Sequence, residues 1–370
     1  MYNMRKKKFH CLFPVGQNVH LIKDVGMIPY MLYKEGFYEA TISFYEDQKK
    51  LPYLNDEVKG LKYKKIKKYF GNEDVNIFIF LIQNFWKMNI VMMFHPSFKK
   101  ILLSYFFKVL SFNQLKFYYK LDSNDNALNL KFNSNSLDFK LRRYFYNKTG
   151  IFSVETSEIN DFFNKESYIK THYIPNGFLK VKSIDIEQQN IFLWVGRVSG
   201  LEKGVKIFLE AISKINIKNW LVNIVGPFEE SFEAEIADFY SKNLIHRNNV
   251  HFVGNVGDRI ILDKYYHKAK IFVLSSFYEG FPLVFPEAIS KGCYIVSSDL
   301  ACARDITDNE KYGVLFPIGD SDKLAKILQE IIDGKKELPS KEEIVNYANE
   351  NYDWSILVKR LYNLIEKESK

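Results

Sequence analysis

From residue 191 onward the chain alternates short apolar runs with amphipathic stretches, and this regularity leaves few folds open to it. IFLWVG (191–196) is a continuous apolar run ending in Gly, the pattern of a strand buried on both faces. GVKIFLEAISKI (204–215) follows with helical spacing. WLVNIVG (220–226), VHFVG (250–254), IFVLSS (271–276), YIVSSD (294–299) and GVLFP (313–317) repeat the strand pattern. Helices are expected over 229–243, over 258–269 and from near Pro282. Such alternation implies a parallel sheet covered by helices on both faces. The first half carries a noisier version. KKFHCLFPVG reads as a strand, residues 18–35 as a helix and FYEATISFY as a strand. VNIFIFLI, NIVMMFH, KFYYKLD and IFSVET are expected as further strands, and WSILVKRLYNLIEKE closes the chain as an amphipathic helix.

A chain of 370 residues is long enough for two domains, and FLKVKSIDIEQQN (178–190) reads as the linker between them. The expected division is a first Rossmann-like domain over 1–180, a second over 181–350, and a tail helix over 351–370. Charge follows the same division. Residues 1–180 hold 28 Lys and Arg against 16 Asp and Glu, whereas the remainder holds 24 against 28, so the halves should face different partners. Cys11, Cys293 and Cys302 are too few and too scattered for a disulfide framework or a zinc site. The basic start, MRKKKFHCLFPVG, has an apolar run too short for a signal peptide, interrupted by His10 and Pro14. No stretch approaches the ~20 apolar residues of a membrane span. A cytoplasmic location is expected.

Ligands of open α/β sheets bind beyond the carboxyl ends of the strands, and several chemically capable residues fall there. Glu279 lies in the loop after IFVLSS, and Glu287 lies eight positions on, inside the helix expected from Pro282. A helix start offers unpaired N–H groups and a positive dipole end to a phosphate. In VGRVSGLEKG, Arg197 follows a strand and Lys203 opens the next helix. Two cations at this edge suit a diphosphate, Arg as a fork and Lys as a point charge. In the first half, His95 follows NIVMMF, Lys23, Asp24 and Gly26 stand between the first strand and helix or within the helix start, and Lys120 and Asp122 lie at the end of the strand KFYYKLD.

The string YEGFPLVFPEA (278–288) resembles the E-x7-E segment of GT-B glycosyltransferases of the family 4 type (glycosyl transferases group 1). VGRVSGLEKG stands about 80 residues before it, as that family's donor-phosphate pair does. IPNG (174–177), HFVGNV (251–256) and GVLFPIGDSDKLAKIL are further landmarks, and the resemblance is good over about 174–365. It implies two Rossmann-like domains facing across a cleft, with the last helix crossing back to the first domain. It implies that Glu279 contacts the donor sugar, that Glu287 holds the ribose, that Arg197 and Lys203 hold the diphosphate, and that the backbone N–H groups near Gly280, Phe281 and Leu283 face it, Pro282 having none to offer. FHPS places His95 where some members have a histidine near the reacting sugar. Lys23, Gly26, Lys120 and Asp122 then become acceptor or cleft candidates, although the family's Gly-rich loop here lacks a Gly-Gly pair.

The function so implied is retaining transfer of a sugar from a UDP- or GDP-sugar to a saccharide or lipid-linked acceptor, in cell-surface polysaccharide assembly, with no metal and no further cofactor. The alternatives are a nucleotide-sugar epimerase of the same fold, or a catalytically idle sugar-nucleotide-binding partner subunit. DSD (320–322) looks like a metal motif, but Asp320 or Ser321 reads better as a helix cap. There is no Walker loop, no GxGxxG and no nucleophile elbow. KGLKYKKIKKYF carries six lysines between Lys59 and Lys68. It suits a solvated edge or an anionic membrane surface, and nucleic acid is not expected.

Overall fold

The computed structural model describes residues 6–46, 50–180, 186–198 and 202–367. They form two compact units, one of Met1–Asn176 with Trp354–Lys370, the other of Gly177–Asp353. The chain leaves and re-enters at adjacent points, because Phe178 N donates to Tyr352 O at 2.9 Å and Phe178 bridges Asp353. The boundaries therefore fall a few residues from 180 and 350.

In the first unit the elements run β1 (Lys8–Leu12), α1 (Asp24–Lys34), β2 (Glu39–Ser43), α2 (Tyr53–Asp56), β3 (Lys62–Tyr63), α3 (Glu73–Asn84), β4 (Ile90–Phe94), α4 (Phe98–Leu110), β5 (Lys116–Lys120), α5 (Leu137–Thr149), β6 (Gly150–Val154), α6 (Ser157–Glu166) and β7 (Thr171–Tyr173). Its parallel sheet has the order β3-β2-β1-β4-β5-β6-β7 among the described residues. The second unit runs β8 (Gln189–Val195), α7 (Val205–Ser213), β9 (Leu221–Val225), α8 (Glu230–Lys242), β10 (Val250–Gly254), α9 (Arg259–Lys268), β11 (Ala269–Leu274), α10 (Val284–Ile289), β12 (Tyr294–Ser298), α11 (Ala301–Ile306), β13 (Gly313–Phe316), α12 (Ser321–Ile332) and α13 (Lys341–Asn351). Its sheet order is β10-β9-β8-β11-β12-β13. In each sheet the order reverses at one place, between β1 and β4 and between β8 and β11. Such a reversal opens a crevice at the carboxyl ends of the strands.

The helices begin where side chains satisfy the first free N–H groups. Asn72 accepts from Asp74 N and Val75 N before α3, Ser97 from Lys100 N before α4, and Asp258 from Ile260 N before α9. Asp320 accepts from Lys323 N at 2.8 Å, so the DSD string is a helix start. α14 (Trp354–Lys367) belongs to the first unit. Tyr362 stacks on Phe37 at 4.4 Å, and Glu366 accepts from Tyr38 and Lys7.

Three expectations need correction. VNIFIFLI is not a strand but the body of α3. Asn76, Ile77, Phe80, Leu81 and Asn84 are buried at helical spacing, while Phe78 meets Phe107 of α4 at 5.8 Å. With two faces covered, the run reads as uniformly apolar and its period is hidden. Residues 18–35 are not one helix. A short 3-10 turn, Asn18–Ile22, is broken from α1 by Lys23 in an extended conformation. The helix expected from Pro282 begins at Val284 and has six residues, because Pro282 O is used by a tight turn from Phe285 N.

His10 supplies a pH-dependent element of the first core. It is buried in β1 with Nε2 2.8 Å from Ser43 Oγ of β2. Burial, helped by the charge of Lys64, holds its pKa down to about 3. The folded value lies below the ordinary 6.5, so on acidification the unfolded chain takes up the proton first. This contribution to stability is full above that ordinary value and is lost as pH falls towards the folded value. From about pH 7 to about pH 4.5 the native protein is expected to lose on the order of 2 kcal/mol more stability than His10→Gln. Urea unfolding of both proteins at each pH checks this.

Candidate functional site

β8 and β11 lie side by side in register, with Ile271 opposite Phe192 and Phe272 opposite Leu193. The loops leaving their carboxyl ends are bound to each other. Gly204, which precedes α7, has φ +59, and a Cβ there would lie 1.9 Å from Ser275 O. Ser275 Oγ accepts from Trp194 Nε1 at 3.2 Å and donates to Gly204 O at 2.8 Å. Phe277 N donates to Glu202 O at 2.9 Å. Residues 199–201 of VGRVSGLEKG lie outside the described residues.

This joint brings the candidate charges together. Lys203 Nζ lies 2.8 and 3.0 Å from the two oxygens of Glu279, and Ser276 Oγ donates to Glu279 Oε1 at 2.7 Å. Glu279 is only 9% exposed, so its charge needs these partners. Glu202 continues the chain, 3.0 Å from Lys203 Nζ and 3.5 Å from Arg197 Nη2. Burial works against the charge of Lys203, but Glu279 and Glu202 outweigh it and its pKa is raised. Arg197 keeps most of its side chain in solvent. Lys203 and Glu279 are thus one ion pair. The carboxylate accepts three hydrogen bonds and, of its roughly four lone-pair directions, keeps about one for a ligand hydroxyl.

Glu287 sits in α10, braced from α9. Its Oε1 accepts from Arg259 Nη2 at 2.8 Å and its Oε2 from Tyr266 OH at 3.0 Å. Arg259 and Tyr266 stand two helical turns apart, on one face. Burial, then Glu287, pushes the Tyr266 hydroxyl far above its ordinary range, so it stays a donor. About two lone-pair directions of Glu287 remain. Between the two glutamates, Phe281 is buried with its ring 5.8 Å from that of Tyr352, and Gly280, Pro282 and Leu283 are half-buried.

The carboxyl edge of the first sheet gathers a second group. His95 follows β4 with φ +48 and Asp122 follows β5 with φ +50. Both are exposed, with His95 Nε2 3.9 Å from Asp122 Oδ2. Non-glycine residues seldom occupy this left-handed region, and such outliers gather at functional sites. Beneath them Lys120 is fully buried. Its Nζ donates to Ile174 O at 2.9 Å and lies 3.3 Å from Glu155 Oε1 and 3.8 Å from Asp24 Oδ2. Glu155 Oε2 accepts from Ser123 N at 3.0 Å, which fixes the turn bearing Asp122. Burial pushes the Glu155 carboxyl up to about 7, against the pull of Lys120.

Two cleft candidates therefore change meaning. Lys120 offers no charge to a ligand, since its ammonium is enclosed and occupied by three oxygens. Gly26 is a packing residue of the first turn of α1, where a Cβ would lie 2.2 Å from Leu21 O. Lys23 is exposed just before α1. Sequence reasoning missed Glu202, Ser276, Arg259, Tyr266 and Glu155. Glu202 alone had a local signal, adjacent to Lys203; the others are paired only by the fold.

A doubly wound two-unit protein with paired charges at the reversal of its second sheet is the class defined by this geometry. Residues 189–334 match the family model for glycosyl transferases group 1. A Campylobacter jejuni protein, GalNAc-alpha-(1->4)-GalNAc-alpha-(1->3)-diNAcBac-PP-undecaprenol alpha-1,4-N-acetyl-D-galactosaminyltransferase, is 29% identical over 171 residues, 44% of this chain and 44% of the relative. The match thus spans less than half the length of that curated relative. The solved structure of the lipopolysaccharide outer core galactosyltransferase WaaB in its apo form is similar, with a TM-score of 0.71 and 17% identity over 98% of this chain and 99% of that one. So is the Anabaena protein HepE in complex with UDP and glucose, with a TM-score of 0.68 and 15% identity over 98% and 100%. The chain has the GT-B fold, and its match to the glycosyl transferases group 1 model lies within the second unit.

Gly204→Ala should destabilise the second unit by about 2 kcal/mol or more, through the positive φ and the clash with Ser275 O. Gly257→Ala, where a Cβ meets nothing within 4 Å, should change stability by no more than about 1 kcal/mol. Thermal unfolding of the two variants distinguishes them.

Proposed function

We propose that this chain is a retaining glycosyltransferase that moves a sugar from a UDP- or GDP-sugar to a saccharide or lipid-linked acceptor in cell-surface polysaccharide assembly. The observation that carries this reading is the joined set of Arg197, Lys203 and Glu279 at the reversal of the second sheet, with Glu287 braced on the helix that follows. The names of the relatives support it: one acts on an undecaprenol-linked glycan, another on the lipopolysaccharide outer core, and a third binds UDP and glucose.

In this reading the diphosphate lies against Arg197, Lys203 and the N–H groups of Gly280, Phe281 and Leu283. Negative charge grows on it as the glycosidic bond breaks, so fixed cations there stabilise the transition state more than the ground state. Glu279 uses its remaining lone pair to orient the sugar. Glu287, held by Arg259 and Tyr266, uses its two for the ribose hydroxyls. His95, with Asp122 beside it, contacts the acceptor or the reacting sugar, and Lys23 is a further acceptor candidate. The leaving phosphate takes the acceptor proton and no metal is required. The site of action is the cytoplasmic face of a membrane.

A UDP-sugar, GDP-sugar and ADP-sugar thermal-shift screen identifies the donor, since a bound donor raises apparent stability by mass action. With that donor, Glu279→Gln and Arg197→Ala should each lower transfer or donor hydrolysis by roughly 10²–10³-fold, and a chelator should leave it unchanged. Unaltered turnover in both variants would remove the assignment. Release of free nucleotide and epimerised sugar without acceptor would favour an epimerase.

A further inference from the structure

The loop after β1 carries a polar side chain that the donor chemistry leaves unexplained. Its backbone is held on both sides. Phe13 N donates to Ser43 O at 3.1 Å, and Tyr45 N donates to Pro14 O at 2.8 Å. Gly16 lies so close to the Phe44 ring that a Cβ would meet it at 2.1 Å. Asn18 Oδ1 then accepts from Tyr53 N at 3.0 Å. The turn Asn18–Ile22 is thereby fixed, and His20 within it is half-buried.

A backbone N–H can only donate, so the bond from Gln17 N to His20 Nδ1, 2.9 Å long, requires Nδ1 to be unprotonated. The ring proton then sits on Nε2. Burial, then the charge of Lys23, holds the His20 pKa below its ordinary value, which keeps the ring neutral at neutral pH. Nε2–H has no hydrogen-bond partner among the described residues. The ring therefore offers one donor of fixed direction.

This donor stands at the reversal of the first sheet, where β1 and β4 are neighbours and Cys11 is opposite Met92. The His20 and Phe13 ring centres are 5.1 Å apart, and those of Phe13 and Phe94 are 5.2 Å apart. His95 follows, its ring 6.4 Å from that of Phe94. Lys120 ties the same two loops together. Its Nζ lies 3.8 Å from Oδ2 of Asp24, four residues after His20, and its carbonyl accepts from His95 N at 3.3 Å. Two imidazoles thus flank one aromatic pair at the crevice that the reversal opens. Val15 and Val19 add exposed apolar surface on the same loop. A neutral N–H beside aromatic and aliphatic groups suits the hydroxyls and the apolar face of a sugar ring.

We propose that His20 is an acceptor-binding residue: its Nε2–H donates to a hydroxyl oxygen of the acceptor saccharide, whose ring lies against Phe13 and is directed towards His95. The inference rests on the glycosyltransferase reading above and adds to it the side chain that makes a saccharide a better acceptor than water.

The test uses the full chain, the donor that the thermal-shift screen identifies, and octyl glycosides of glucose, galactose and N-acetylgalactosamine as acceptor probes. Transfer and donor hydrolysis are measured together. Two substitutions separate the ring nitrogens. His20→Asn keeps an acceptor at the place of Nδ1 and removes the donor, whereas His20→Gln keeps a donor at the place of Nε2 and removes the acceptor. His20→Asn should raise the KM for the octyl glycoside roughly five- to tenfold and lower the ratio of transfer to hydrolysis to match. His20→Gln should keep that KM within about twofold of native, at some loss of thermal stability. A native KM in His20→Asn would overturn the proposal. So would His20→Gln being impaired as much as His20→Asn, since the ring would then serve only the loop. Donor hydrolysis without transfer to any of the probes by the native chain would overturn it as well. A native chain that neither binds nor hydrolyses any donor would strike the glycosyltransferase reading itself, and the proposal with it.

Discussion

A glycine pressed against a carbonyl organises the second unit. Gly204 lies so close to Ser275 O that no side chain fits between them, and its left-handed backbone turns the chain from β8 into α7. Because that contact joins the loops after β8 and β11, Lys203 meets Glu279, and Glu202 can reach both Lys203 and Arg197. Charges from two strands that are distant in sequence become one connected set. The low exposure of Glu279 makes the set mutually dependent, since a buried carboxylate without its cation is far costlier than an exposed one.

The same logic explains why the two glutamates have different surroundings. Glu279 stands in a loop beside the sheet reversal and is held by a lysine and a serine from the strand ends. Glu287 stands on a short helix and is held by Arg259 and Tyr266, whose helix packs alongside. Each partner set leaves a different number of lone pairs open, about one on Glu279 and about two on Glu287. In the first unit, Lys120 and Glu155 instead serve the backbone. They lie under the strained turn bearing Asp122 and keep the exposed pair of His95 and Asp122 in place.

Much of the second sheet was legible in the sequence, because its strands are uniformly apolar, end at glycine or serine, and are separated by helices of clear period. The first unit was harder. VNIFIFLI is covered on two faces, so its helical period is masked, and only the cap at Asn72 marks the start of α3. The positions of Arg197, Lys203, Glu279 and Glu287 were readable because each follows a strand end or a loop motif. Their bracing partners were not, since nothing local ties Arg259 to Glu287 or Glu155 to Lys120. The basic character of the first half was visible as composition. The facing of α4 was not, because Phe106 and Phe107 look alike in sequence and only packing leaves one exposed and the other buried.

The ion pair of Lys203 and Glu279 is proposed to act as one coupled unit in nucleotide-sugar binding. A double-mutant cycle tests it most directly, with the dissociation constant of UDP-sugar measured by calorimetry for the native chain, Lys203→Met, Glu279→Gln and the double variant. The account predicts weaker binding in both single variants and a double variant much better than their sum, with a coupling of about 1–3 kcal/mol. Additive effects, or binding unchanged throughout, would contradict it.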